Sequence, residues 1–135
     1  MANPAPGFLK YPDYRIELQA LEGRVDIVVA DEVVCSTTKA TWLLETRHAR
    51  ALYVPLADCR QLAASDMRTY CPFKGEASYF SVLRDGAGPD AVESGRDVFW
   101  HYAEPFDEVL RIADLLGVYS DRVDAIRVDG VALAP

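Results

Sequence analysis

The sequence predicts a mainly β protein of antiparallel strands with one helix in the C-terminal half. Three observations carry that reading. Apolar and polar residues alternate over one short stretch after another, the period of half-buried strands. Turn residues (Gly, Pro, Asp) punctuate those stretches at short intervals. Helical spacing shows once, near Pro105, and no strand–helix–strand alternation is present, so the strands must pair antiparallel.

Residues 1–13, with Pro4, Pro6, Gly7 and Pro12, read as an extended or mobile arm ahead of one domain over 14–135. Tyr14 to Ala20 alternates, with Tyr14, Ile16, Leu18 and Ala20 on one side. After the turn signal Glu22-Gly23, Arg24 to Ala30 resumes with Val25, Ile27 and Val29 inward, so the pair is expected to form a hairpin. Val33 to Ser36 follows the acidic turn Asp31-Glu32 as a third strand. Lys39 to Thr46 fits a strand or a helical turn; Ala51 to Leu56 is a strand stopped by Pro55. Ala57 to Asp66 reads as a loop with a turn of helix. Met67 to Cys71 and Glu76 to Arg84 are strands joined through Pro72 and Gly75, Asp85 to Gly95 is a surface loop, and Arg96 to Ala103 is a strand.

From Pro105 to Leu116 the apolar residues Val109, Ile112, Leu115 and Leu116 fall at helical spacing. Pro105 suits the first helical position and Gly117 the stop. Arg122 to Val128 alternates again, and Asp129-Gly130 turns into a last short strand, Val131 to Leu133.

Bulk properties narrow the function. A chain of 135 residues that is 50% hydrophobic can bury a core unaided. A net charge of −7 with no basic run argues against nucleic-acid binding. No window approaches a membrane span or a signal peptide, and three widely spaced cysteines make no disulfide framework. A reducing, cytoplasmic setting is the simplest expectation.

The richest stretch runs from Thr69 to Phe80 and puts a thiol, an ammonium, a turn and four aromatic rings into twelve residues. A second cluster, Phe99-Trp100-His101-Tyr102, follows. On these residues the chain resembles the bacterial family described as domain of unknown function 427. The matching features are Val34-Cys35-Ser36-Thr37, Glu45, Tyr53-Val54-Pro55 with Asp58, the box Tyr70-Cys71-Pro72-Phe73-Lys74-Gly75 with Ala77 and Tyr79, Trp100-His101-Tyr102, Pro105, Ile112, and Tyr119 with Asp121. The resemblance spans about Arg15 to Val128 and implies a β-tent, two antiparallel sheets leaning together. Many β-tent proteins pin their sheets with zinc between two Cys-x-x-Cys pairs; this chain has neither pair. A nucleotidyltransferase label sometimes given to the family finds no glycine-rich phosphate cradle or Gly-Ser-Asp-Asp pattern here.

Five residues are the candidates for ligand binding. Tyr53, Tyr79, Trp100 and Tyr102 would supply stacking area, and Lys74 would neutralise an anionic group. Packing into the core is the plainer role for the rings, and an ion pair with a surface acid such as Glu76 the plainer role for Lys74. Cys71 is the candidate nucleophile or redox centre, with His101 as its base; a small buried thiol is the alternative. Cys35, Cys59, Cys71, His101 and His48 offer metal-ligand chemistry, but none lie at chelating spacing, so no metal and no cofactor is expected. Glu45, Asp58 and Asp121 are carboxylates of the family pattern, each also suited to capping a turn. The leading reading is therefore a small-molecule binder with its aromatic-lined pocket near the Cys-Pro-Phe-Lys-Gly turn, between the sheets. A Cys71-dependent enzyme and an interaction module or homodimer are the competing readings.

Overall fold

The computed structural model describes residues 2–84 and 92–133. They form two antiparallel sheets, as expected, built from eleven strands. The strands are β1 (Ile16–Ala20), β2 (Val25–Val29), β3 (Glu32–Thr37), β4 (Thr41–Glu45), β5 (Ala51–Pro55) and β6 (Leu62–Cys71). They continue as β7 (Gly75–Arg84), β8 (Val92–His101), β9 (Leu115–Val118), β10 (Ala125–Val128) and β11 (Val131–Ala132). The larger sheet runs β1-β4-β5-β9-β8-β7-β6 and the smaller β11-β10-β2-β3.

The first two strands do not form the expected hairpin. β1 pairs with β4 in the larger sheet, whereas β2 pairs with β3 and β10 in the smaller. Glu22-Gly23 is a crossing point between sheets: Leu21 N–H donates to Ala40 O at 2.9 Å, and Arg24 N–H to the Asp129 carboxylate at 2.9 Å. Alternation records which face a strand buries but not its partner, and this is where that signal ran out. The β2–β3 turn sits at Ala30 and Asp31, both in the left-handed region with φ of 51° and 64°.

Lys39 to Thr46 resolves as strand β4. The expected loop before Met67 is mostly strand: after a short 3-10 turn (Leu56–Asp58), β6 begins at Leu62 and forms a largely exposed edge, interrupted between Ala64 and Arg68. Residues 85–91 of the expected surface loop lie outside the described residues, and strand β8 already occupies Val92 to Gly95.

The predicted helix over Pro105–Leu116 shrinks to a kinked 3-10 segment, Asp107–Ile112, followed by strand β9. Its apolar spacing still marks burial, since Val109, Ile112 and Leu116 are all buried. Gly117 lies inside β9 rather than ending a helix. The N-terminal segment, expected to be extended, carries a short helix, α1 (Pro6–Lys10). It docks on the turn after β6, where Gly7 N–H donates to Pro72 O at 2.9 Å and the Phe8 ring meets Phe73 edge-on at 5.1 Å.

The strand period places two cores on the two faces of the larger sheet. Facing the smaller sheet are Leu52, Val54, Val82, Val98, Phe99 and Val118, packed on Val25, Ile27, Val34 and Ile126. On the opposite face lie Leu43, Tyr53, Ala77, Tyr79 and Tyr102 with Val109 and Ile112. Val and Ile fill the first core and tyrosines crowd the second, so the second face holds the chemistry.

Candidate functional site

The centre of the tyrosine-rich face is a buried ion pair. Glu45 ends β4, and Lys74 closes the turn between β6 and β7. Lys74 Nζ donates to Glu45 Oε1 at 2.6 Å, and the two side chains are only 9% and 11% exposed. Tyr14 OH donates to the other carboxylate oxygen, Oε2. The Tyr102 ring lies 5.8 Å from the ammonium. Gly75, at φ 121°, lets the chain fold back after Lys74, and Phe106 N–H holds the turn through Lys74 O at 3.1 Å. An ion pair removed from water survives only when its remaining donors and acceptors are met, and Tyr14 meets one of them.

Beside the pair, Tyr53, Gly117 and Trp100 stand in one row across β5, β9 and β8. The indole covers Gly117, where a Cβ would collide with its ring atoms. Trp100 Nε1–H donates to Tyr53 OH at 2.8 Å, with the rings edge-on at 5.6 Å. Tyr79 faces Trp100 from β7, and its hydroxyl shares a 2.8 Å hydrogen bond with Thr69. Tyr119 lies parallel to Tyr79 at 6.3 Å. Burial pushes the Tyr53, Tyr102 and Tyr14 hydroxyls well above the usual tyrosine pKa, with Glu45 and Cys71 adding to the rise. Tyr119 is pushed up to about 12, by burial and then by the Tyr79 hydroxyl.

The five candidate ligand residues thus share one face, but four of them already have partners: Trp100 and Tyr53 each other, Tyr79 Thr69, and Lys74 Glu45. Lys74 is paired with Glu45, not with Glu76. Cys71 is half-buried at the end of β6 and packs against the same cluster. His101 points the other way, towards the Phe80 ring at 6.1 Å, and its Nε2–H donates to Ala113 O at 2.7 Å. Cys71 and His101 therefore lie on opposite faces of the sheet. Asp58 accepts from the Thr37 hydroxyl at 2.7 Å, while Arg60 turns to Val33 O. Among the described residues no three His, Cys, Asp or Glu side chains are close enough to hold a metal ion.

Among the described residues, the two roomier hollows beside the cluster differ in their lining. One, of about 500 Å³, lies beside the Cys-Pro-Phe-Lys-Gly turn and is lined by Lys10, Tyr11, Tyr14, Arg47, His48 and Phe73, with Asp13 as its acid. Its wall is the Tyr14–Phe73 pair, stacked at 3.7 Å and 9°. His48 N–H donates to Glu45 O at 3.1 Å, fastening the lining loop to the strand that carries the buried carboxylate. The other, of about 860 Å³, is lined from both sheets, with Trp42, Leu52, Trp100, Tyr119 and Ile126 in its walls and Arg50 stacked 3.9 Å over Trp42. Sequence reasoning took Tyr14 only as a strand residue and passed over Tyr11, Arg47 and Arg50. Arg47 sits at φ 66°, but nothing in its local sequence announces that conformation.

The fold and the site define a two-sheet antiparallel β domain that keeps a glutamate–lysine pair inside a tyrosine-rich outer face. Residues 17–129 match the family model described as domain of unknown function 427, and the chain belongs to that family. No curated protein matches it.

Proposed function

We propose that the protein binds a small, flat organic anion in the recess beside the Cys-Pro-Phe-Lys-Gly turn. One observation carries the reading. On a chain of net charge −7, Lys10, Arg47 and His48 gather around a stacked tyrosine–phenylalanine wall, with Asp13 the one acid in the lining. Lys10 and Arg47 make no ion pair among the described residues, so both charges are available to a carboxylate or phosphate. The rings supply the flat contact. Lys74 acts here as a positioning residue: it fixes Glu45, Glu45 fixes the Tyr14 hydroxyl, and Tyr14 holds the wall.

A thermal-shift series of small aromatic carboxylates beside their neutral amides tests the reading. Stabilisation by the acids that Arg47→Ala and Phe73→Leu each weaken is the expected result. Equal shifts with acids and amides, or no effect of either substitution, would remove the recess from consideration. A second reading places the ligand in the larger hollow, favoured by Arg50 and Trp42 stacked at its wall. It predicts that Trp42→Ala abolishes the shift while Arg47→Ala spares it.

A further inference from the structure

Away from the tyrosine face, the fold brings two cysteines together that the sequence holds 24 positions apart. Cys35 lies in β3, an edge strand of the smaller sheet, and Cys59 follows the 3-10 turn after β5 of the larger. They are direct partners across an isolated antiparallel bridge, with Arg60 N–H donating to Val34 O at 2.8 Å beside it. Antiparallel partners stand roughly 4.5–5.5 Å apart between Cα atoms, inside the range a disulfide spans. Both thiols are free, and the Cys59 thiol donates to Pro55 O at 3.5 Å.

We propose that Cys35 and Cys59 form a dithiol–disulfide site that joins the two sheets covalently, with a hydroperoxide as oxidant. Cys59 is the entry point, being half-buried where Cys35 is 1% exposed. Its thiolate attacks one peroxide oxygen, giving a sulfenic acid and releasing the alcohol, or water from hydrogen peroxide. Cys35 sulfur then displaces the sulfenic hydroxyl, which leaves as water with the Cys35 proton. The S–S bond replaces two S–H bonds, and the hydroperoxide is reduced. The neighbouring Cys35 thiol, then burial, hold the Cys59 thiol above its ordinary pKa, so the first step is slow at neutral pH and quickens with alkalinity. Closing the loop of residues 36–58 restrains the unfolded chain, and the sheets gain a fixed hinge. Cys71, on the other face, takes no part.

The test uses the full chain treated with hydrogen peroxide, then thiol titration and non-reducing peptide mapping. The expected result is a Cys35–Cys59 linked peptide, titratable thiols falling from three to one, and recovery with dithiothreitol. The unfolding midpoint should rise by on the order of 5–10 °C. Cys71→Ser keeps the link and Cys59→Ala loses it. Three thiols surviving treatment, a sulfinic acid at Cys59 beside an intact Cys35, or linked peptides that join Cys71 as often as Cys35 to Cys59 would each overturn the proposal.

Discussion

Trp100 occupies the space that a side chain at Gly117 would fill, and that one contact sets the geometry of the tyrosine face. The indole lies on the bare backbone of β9, which brings its Nε1–H to Tyr53 OH at 2.8 Å. Gly117→Ala should displace the ring and break that hydrogen bond. The cost should be about 2–4 kcal/mol, overpacking together with an unmet buried donor. Urea denaturation gives the stability and tryptophan emission reports the ring. Unchanged emission and stability would mean that the sheet yields there, contrary to this account.

The Glu45–Lys74 pair makes a sharper case, because each charge is tolerable only with the other present. Lys74→Met alone, or Glu45→Leu alone, should cost about 3 kcal/mol or more by stranding a buried charge. The double substitution should cost clearly less than the sum of the two. Additive costs in a double-mutant cycle would show that the two groups do not depend on each other.

Alkaline pH should weaken the fold through its tyrosines. A tyrosine whose folded pKa stands above its unfolded value near 10 keeps its proton in the native state after the unfolded chain has lost it. That stability is fully present below pH ~10 and is lost as pH climbs, through about 12 for Tyr119 and higher for Tyr53. The midpoint should hold level up to the tyrosine range and then fall, with tyrosinate absorbance appearing late and together with unfolding. A midpoint that rises above pH ~10 would reverse the sign argued here.

Ala30 offers a stabilising change. It holds φ 51° in the β2–β3 turn, where an L side chain is strained. Its N–H donates to the Asp124 carboxylate at 2.6 Å, so the backbone conformation is anchored from β10's side of the sheet. Ala30→Gly should raise stability by about 0.5–1 kcal/mol in chemical denaturation. A loss of stability would show that entropy gained by the unfolded chain outweighs the relieved strain.

Much of the strand content was legible because burial on one face of a sheet writes itself as alternation, and the cores confirm it: Val25 and Ile27 are fully buried, as are Val34 and Val54. The turn at Asp129-Gly130 was legible because left-handed backbone favours those residues, and both have positive φ. The aromatic box was visible as a concentration of chemistry, although the partner of Lys74 was not. Glu45 stands 29 positions away, and nothing in either local stretch points to the other.

What the sequence by itself determined was composition, periodicity and turn chemistry: a mainly β chain with the faces of its strands assigned. The tertiary structure alone decided which strands pair, and so which side chains meet. It sent β1 and β2 to different sheets, made Gly117 a seat for an indole, and set Cys35 against Cys59. The physical reason is that a strand's hydrogen-bonding edges look alike from one partner to another; only the assembled sheets, by burying the right faces together, select the neighbours.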